Sequence, residues 1–396
     1  MMRIALFLGF LVAIAGPASG QVQVTQLAAP DAFSTPGRDT GLPADLWRGT
    51  PAEMALAVLP LLATRPMSPA ASHLARQVLA TGAPGPEGST GDDGLAAGRA
   101  NAMIALGDLE AAARILERAP SLDRNAGLSK AAAEVALLSG DATRACAIAA
   151  ALAAGRGDIY WLRLRSFCQA EAGQSDQAHL TFELAQTQAR DAVYGRLMSA
   201  RLNATPPGPA SLRNGLDLSL SRSLKLDVAA AKPAPAVAAA LSGQAPPAPS
   251  YDLTGIDEAT AALAAALTQG LPSEAGVSAL IGAAMDADLK IRPKRQGSAL
   301  LMAAFLGELS PIDRTRLASF AVPEGRSPTG RNVALEAAAQ GRRMGETALL
   351  ALWICAEAGP SGLTVADRAR IIRSLRQVKL DEPARLFALE GLAGLK

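Results

Sequence analysis

The sequence predicts an all-α protein of stacked helical hairpins, followed by a second region of helical repeats. Two observations carry this prediction. Of the 396 residues, 49% are hydrophobic but only 4% are aromatic, and alanine dominates the apolar share. Alanine is the best helix former, and alanine-rich helices bury surface by approaching one another closely. The same turn also recurs at a fixed interval, as "LGDLEAA", "SGDATRA" and "AGQSDQA".

The first twenty residues are typical of a secretory signal peptide. Arg3 precedes an apolar run over residues 4–15, which is too short to span a bilayer. Small residues at 18–20 place the cleavage after Gly20, and a transmembrane anchor is the alternative. No later stretch reaches 18 uninterrupted apolar residues. We therefore expect a mature protein without a membrane span, periplasmic or secreted, in a compartment where thiols can oxidise.

Residues 21–49 are polar, contain proline and glycine and show no period, which predicts a flexible N-terminal segment. Helical signals begin at Thr50, where an N-cap threonine precedes a proline at the first helical position. A helical-repeat domain is predicted from there, over residues 50–203.

Four columns of this domain repeat in register. The turn glycines Gly107, Gly140 and Gly173 are 33 residues apart, and an alanine stands five residues after each of them. A small residue precedes each glycine by seven positions, and a large apolar residue precedes it by twelve. Each glycine is expected to end a first helix in the left-handed conformation, and the small residues let the two helices of a hairpin approach closely. Each hairpin has an apolar face that only a neighbouring hairpin can cover, so the units must stack.

Over about residues 95–190 this pattern resembles the tetratricopeptide repeat, most closely in "ALGDLEAAARILERAP" at residues 105–120. The period is 33 residues rather than 34, and only Trp161 keeps the aromatic position. The resemblance implies a right-handed superhelix whose concave groove binds peptides or proteins, and it implies no catalytic residues. The first helix of each hairpin lines such a groove. Tyr160, Arg163 and Arg165 of the third hairpin are therefore the predicted partner-binding residues.

Beyond this domain, residues 204–250 are rich in proline and alanine and predict a linker with at most one short helix. Residues 251–396 predict a separate domain of helical hairpins, because "LSPIDRTRL" at 309–317 matches "LTVADRARI" at 363–371. Ser310 and Thr364 are the expected N-caps in these two stretches. Asp313 and Asp367 follow in the first turn, where a carboxylate suits the helix dipole.

Two of the three cysteines predict a disulfide. Cys146 lies about ten residues before the centre of the turn at residues 155–158, and Cys168 lies about eleven after it. In antiparallel helices the two cysteines then lie at nearly the same position along the helix axis. We therefore expect a Cys146–Cys168 disulfide between adjacent repeats, with two buried thiols as the alternative. Cys355 has no partner left and is expected to be a buried thiol.

The sequence contains no catalytic motif that we can identify. His73 and His179 lie far apart, without the short ligand spacings of a zinc site. The repeated Asp-Arg pairs at 313–314 and 367–368 are better explained as helix-cap features than as general acid–base groups. We therefore expect no enzyme activity, no cofactor and no metal.

One short basic cluster comprises Lys290, Arg292, Lys294 and Arg295. A net charge of +2 is too small for a nucleic-acid partner, which would need a concentrated basic face. Two interpretations of the cluster stay open: a solvated loop, or a weak contact with anionic lipid head groups or envelope polymers.

These features favour an exported, non-catalytic scaffold that binds another envelope protein in the periplasm. Two alternatives remain at this point: a cell-wall hydrolase or its accessory subunit, and an assembly factor or chaperone for a secreted appendage such as a pilus or flagellum.

Overall fold

The computed structural model describes residues 31, 33–89, 91–119 and 122–395, and the predicted signal peptide lies outside the described residues. The described part of the chain forms nineteen helices, which confirms the all-α prediction. In chain order they are α1 (Ala52–Thr64), α2 (Pro69–Ala80), α3 (Asp93–Ala105), α4 (Leu109–Glu117), α5 (Ala126–Leu138), α6 (Ala142–Ala151), α7 (Ile159–Glu171), α8 (Ser175–Gln188), α9 (Ala192–Asn203), α10 (Gly215–Ser223), α11 (Pro235–Ser242), α12 (Glu258–Gln269), α13 (Glu274–Met285), α14 (Arg292–Leu306), α15 (Pro311–Ala318), α16 (Thr329–Gln340), α17 (Met344–Ala358), α18 (Val365–Gln377) and α19 (Asp381–Ala393).

Three hairpins contain the repeated turn: α3 with α4, α5 with α6, and α7 with α8. Each turn glycine has a positive φ, 79° at Gly107, 82° at Gly140 and 74° at Gly173, which glycine adopts without the steric cost of a Cβ atom. Asp108 and Asp141 follow the first two glycines, and their carboxylates cap the next helix. The local geometry of the turn is therefore the one that the sequence predicts.

The other repeat columns form the interior of the hairpin stack. Every residue at these positions is buried. The small column is Ala100, Ala133 and Ser166, the alanine column is Ala112, Ala145 and Ala178, and the large column is Leu95, Leu128 and Trp161. The spacing that recurs in the sequence is therefore the spacing of core positions.

The N-terminal segment is not flexible where the structure describes it. The side chains of Phe33 and Trp47 are buried, and their rings pack edge to face with centroids 5.2 Å apart. The buried guanidinium of Arg99 on α3 donates hydrogen bonds to the backbone oxygens of Thr35, at 3.1 Å, and Thr81, at 3.0 Å. The prediction of a flexible segment is wrong for residues 33–49, because two aromatic rings and a buried arginine fix them to the helices.

The predicted linker, residues 204–250, also belongs partly to the folded body. α10 packs on α5 and α9, and α11 packs on α3, α4 and α5. Leu216, Leu218 and Leu220 of α10 are buried. The prediction of a linker with at most one short helix is therefore wrong, because these leucines place α10 in the core.

The first and last helices share one apolar cluster. α1 and α2 pack on α17, α2 also packs on α19, and buried residues of all four belong to this cluster. Glu390 on α19 accepts hydrogen bonds from the backbone N–H of Ala70, at 2.9 Å, and from the hydroxyl of Tyr251, at 3.0 Å. The core therefore does not follow the predicted division into residues 50–203 and 251–396.

Both predicted N-caps of the C-terminal region are present. The hydroxyl of Ser310 accepts from the backbone N–H of Asp313 at 3.1 Å, and that of Thr364 accepts from Asp367 at 3.2 Å. α13 packs with α14, α16 with α17 and α18 with α19, while α18 also contacts α14 and α16. α15 packs on α13, and this placement leaves a groove on the surface of the region.

Candidate functional site

Tyr160, the first predicted partner-binding residue, takes part in an internal contact. Its hydroxyl donates to Glu134 Oε2 at 3.1 Å, and the other oxygen of Glu134 accepts from the backbone N–H of Gly215 at the start of α10. Burial raises the pKa of Glu134, while the hydrogen bonds from Gly215 and Tyr160 act in the opposite direction. Tyr160 therefore helps to fix α10 against α5.

Arg163, the second predicted residue, closes the end of a neighbouring helix. Its guanidinium donates to the backbone oxygen of Ala189 at 2.9 Å, pairs with Asp191 at 3.4 Å and lies over the ring of Tyr194. The Arg163 side chain therefore makes internal contacts at the C-terminus of α8, and partner binding by Arg163 stays a prediction. Arg165, the third residue, donates to the backbone oxygen of Arg156 at 3.4 Å.

α10 packs on the repeat stack beside the predicted partner-binding residues. It contacts the first helices α5 and α9. Arg213, just before α10, pairs with Asp191 at 3.1 Å and with Asp217 at 2.6 Å, so one ion-pair network joins α7, α9 and α10. One of the chain's own helices therefore covers part of this side of the stack.

The predicted disulfide is confirmed. Cys146 on α6 and Cys168 on α7 are joined, with Cα atoms 5.5 Å apart, within the range that the bond requires. It links the second helix of one hairpin to the first helix of the next. Cys355 on α17 is free and buried, as expected, and burial raises the pKa of its thiol to about 12.

The basic cluster lies where α13 turns into α14. Lys290 and Lys294 are exposed, and Arg292 and Arg295 are half-buried. The Nε of Arg292 donates to the backbone oxygen of Ala287 at 2.9 Å, which fixes the turn before α14. A contact between this cluster and an anionic partner stays a prediction.

The repeated Asp-Arg pairs have structural roles that differ between the two copies. Asp313 and Asp367 are both buried and accept hydrogen bonds within their caps. Arg368 is buried and pairs with Glu390 at 2.8 Å, whereas Arg314 is exposed and donates to the backbone oxygen of Leu309 at 3.0 Å. One copy therefore supports the core, and the other presents its arginine at the surface.

That exposed arginine stands at the edge of an open groove of about 930 Å³ among α14, α15, α16 and α18. The buried part of its lining, which we call the groove floor, consists of small side chains. These are Ala303, Ala304, Ala369 and Ser374. Partly exposed apolar side chains, among them Leu300, Leu309 and Leu317, extend the lining above the floor.

The charged lining, which we call the groove rim, carries both signs. It consists of Glu308, Arg314, Glu336, Arg370 and Arg373. Arg370 is held between Glu336, at 3.5 Å, and Asp367, at 3.6 Å, whereas Arg373 is exposed. The groove thus offers a floor of small side chains, with arginines contributed by α15 and α18.

Sequence reasoning missed this groove, although one signal for it was available. The recurring "DR" dipeptides lie in the first turns of α15 and α18, and both helices carry rim arginines. The spacing of these dipeptides along the chain does not reveal that α15 packs on α13. This packing leaves the groove open between α15 and α18.

Within the described ranges, no cluster of three or more histidine, cysteine, aspartate or glutamate side chains could hold a metal ion. None of the helices described is long and apolar enough to cross a membrane.

Comparisons with models of known protein families, with curated proteins and with solved structures found no match. The geometry of the chain itself is therefore the basis for inferring its function.

Proposed function

We propose that the protein is an exported, non-catalytic helical-repeat scaffold of the bacterial periplasm, which binds a segment of another envelope protein. The open groove among α14, α15, α16 and α18 carries this proposal. α10 packs on the repeat stack beside the residues named by the resemblance, whereas the groove is a concave surface that stays open to an external chain.

The groove has the size and lining of a site for an extended or helical segment. Its volume, about 930 Å³, is near the upper end of the roughly 300–1,000 Å³ that is usual for binding pockets. Small floor residues let the backbone of a bound segment approach α14 and α18 closely. The apolar face of an amphipathic helix is the kind of occupant that such a lining accepts.

The rim provides orientation rather than most of the binding energy. Exposed ion pairs contribute little, typically about 0–1 kcal/mol each, but complementary charges select a direction and a register. With Arg314 on one wall and Arg370 and Arg373 on the other, acidic side chains of a bound segment would flank its apolar face.

Export rests on the N-terminal sequence and is supported by the disulfide. Disulfides form and persist in oxidising compartments such as the bacterial periplasm, and Cys146–Cys168 joins two repeats of the folded body. N-terminal sequencing of the protein from a periplasmic fraction should begin at Gln21. An intact N-terminus in the cytoplasmic fraction would contradict export.

The groove is tested by filling it. Ala318 on α15 and Ala366 on α18 line the groove and are not buried, so Ala318→Trp and Ala366→Trp should occupy it without disturbing the core. Ala150→Trp, at an exposed position on α6, is the matched control. Each tagged variant is used to capture proteins from an envelope extract, with quantitative mass spectrometry as the readout and circular dichroism as the folding check.

We expect the same captured proteins with the wild type and Ala150→Trp, and their loss with both groove variants. Unchanged capture by both groove variants would exclude the groove as the binding surface. Release of soluble fragments from purified cell wall by the wild type would contradict the non-catalytic role and favour the hydrolase.

A further inference from the structure

The corner between α13 and α14 exposes an unusual amount of apolar surface. Leu289 is 79% exposed, Ile291 41% and Met285 37%. Single exposed apolar residues are normal on protein surfaces. Three within seven residues of chain, however, concentrate exposed apolar surface at this corner, which lies outside the groove lining.

The backbone of this corner is held in a defined turn. The backbone N–H groups of Ile291 and Arg292 both donate to the oxygen of Asp288, at 3.0 and 2.8 Å. Ala287 is buried and accepts from the Nε of Arg292 at 2.9 Å. Leu289 and Lys290 therefore form the tip of a fixed turn, so little conformational entropy is lost when the tip binds.

Basic side chains surround the apolar tip. Lys290 and Lys294 are exposed, and among the described residues neither forms an ion pair. Asp286 and Asp288 are also exposed on this corner, so residues 286–295 combine four basic with two acidic groups and carry a net charge of +2. From the packed helix α15, Arg316 lies close to α13, with its guanidinium paired to Asp313 at 3.6 Å.

We propose that this corner docks the protein on anionic lipid head groups of a membrane surface. Leu289 and Ile291 would enter the interfacial region, while the flexible stems of Lys290 and Lys294 let their ammonium groups reach lipid phosphates. A convex tip suits a flat, deformable surface, whereas a peptide partner needs a concave one. Basic residues near an anionic bilayer each add attraction that decays within a Debye length.

The test is flotation of the mature chain with vesicles of phosphatidylcholine alone and with vesicles that also contain phosphatidylglycerol. Two corner variants remove one contribution each: Leu289→Ser, and Lys290→Glu combined with Lys294→Glu. Leu180 on α8 is similarly exposed, at 74%, so Leu180→Ser is the matched apolar control. Lys225→Glu combined with Lys232→Glu, at exposed positions far along the chain, is the matched charge control. All five proteins share one N-terminus, so differences between them report on the substituted surface.

We expect the wild type and both controls to bind the phosphatidylglycerol vesicles preferentially, and less strongly as salt increases. Leu289→Ser should lose about tenfold in affinity, because one inserting leucine is removed. The double lysine variant should lose about 30-fold or more, because two lysine attractions are removed and two negative charges are added. Equal binding to both vesicle types would overturn the proposal, as would corner variants that bind like the wild type. Equal losses in the controls would overturn it as well.

Discussion

Removal of the Cys146–Cys168 disulfide should loosen one helix far more than the rest of the protein. α6 is a weakly packed helix, since Ala145 and Ala149 are its only buried residues and an alanine side chain buries little area. The disulfide to α7 is therefore a principal tie that holds α6 in the stack. Cys146→Ser combined with Cys168→Ser removes this tie while keeping the size of both side chains.

The magnitude follows from the length of the closed loop. The cysteines are 22 residues apart in sequence, and on the chain-entropy model a loop of this size contributes about 3 kcal/mol. Since 1.4 kcal/mol corresponds to a factor of ten, opening of α6 should become roughly 100-fold more frequent. Hairpin stacks are stabilised mainly by neighbouring contacts, so the effect should decrease with distance from the α6–α7 interface.

Hydrogen exchange measured by mass spectrometry on peptides from α6 is the direct assay, because it reports local opening. Cys355→Ser, which removes the buried thiol on α17, is the control and should leave exchange in α6 unchanged. Unaltered protection of α6 in the double variant would refute the reasoning. Side-chain packing would then hold α6 without help from the disulfide.

Two further substitutions test the packing of residues 33–49 and the capped start of α18. Trp47→Ala should lower the free energy of unfolding by about 3–5 kcal/mol, since Trp47 is buried; an unchanged urea midpoint would show that residues 33–49 do not contribute to the core. Burial raises the pKa of Asp367, but hydrogen bonds from Ser327, Arg326 and Thr364 outweigh burial and leave this pKa below its ordinary value. A lowered folded-state pKa stabilises the protein above the unfolded-state pKa of about 3.9, and this contribution is lost as the pH falls through the folded-state value. Asp367→Asn should therefore reduce the urea midpoint at pH 7 relative to the wild type, with a difference that shrinks below about pH 4; a difference independent of pH would contradict this.

The sequence predicted those features that are determined within one repeat. The turn at Gly140 needs only a glycine with positive φ and the capping carboxylate of Asp141, and both are visible in a window of a few residues. The disulfide also follows from local geometry, because one short turn places Cys146 and Cys168 at the same height. These features depend on spacing alone, which is why they could be predicted without a structure.

The features that the sequence did not predict depend on distant contacts. The buried leucines of α10 occupy every second position, at Leu216, Leu218 and Leu220, and this spacing does not suggest a helix. Contacts with residues elsewhere in the chain hold α10 in place. Glu134 accepts from the start of α10 across 81 residues, and Asp191 pairs with Arg213 across 22. No local pattern indicates such contacts, so the segment looked like a linker.

The arrangement of the helices explains why the groove remains open. A stack of hairpins exposes an apolar face at each end, and repeat proteins cover these faces with terminal elements. Here α10 packs on α5 and α9 of the first repeat region, and α1 and α2, which precede the repeats, pack on α17 and α19. Among α14, α15, α16 and α18, the described chain supplies no such cover. Small buried side chains therefore line an open groove there, and an external segment would complete the packing that the chain's own helices complete elsewhere.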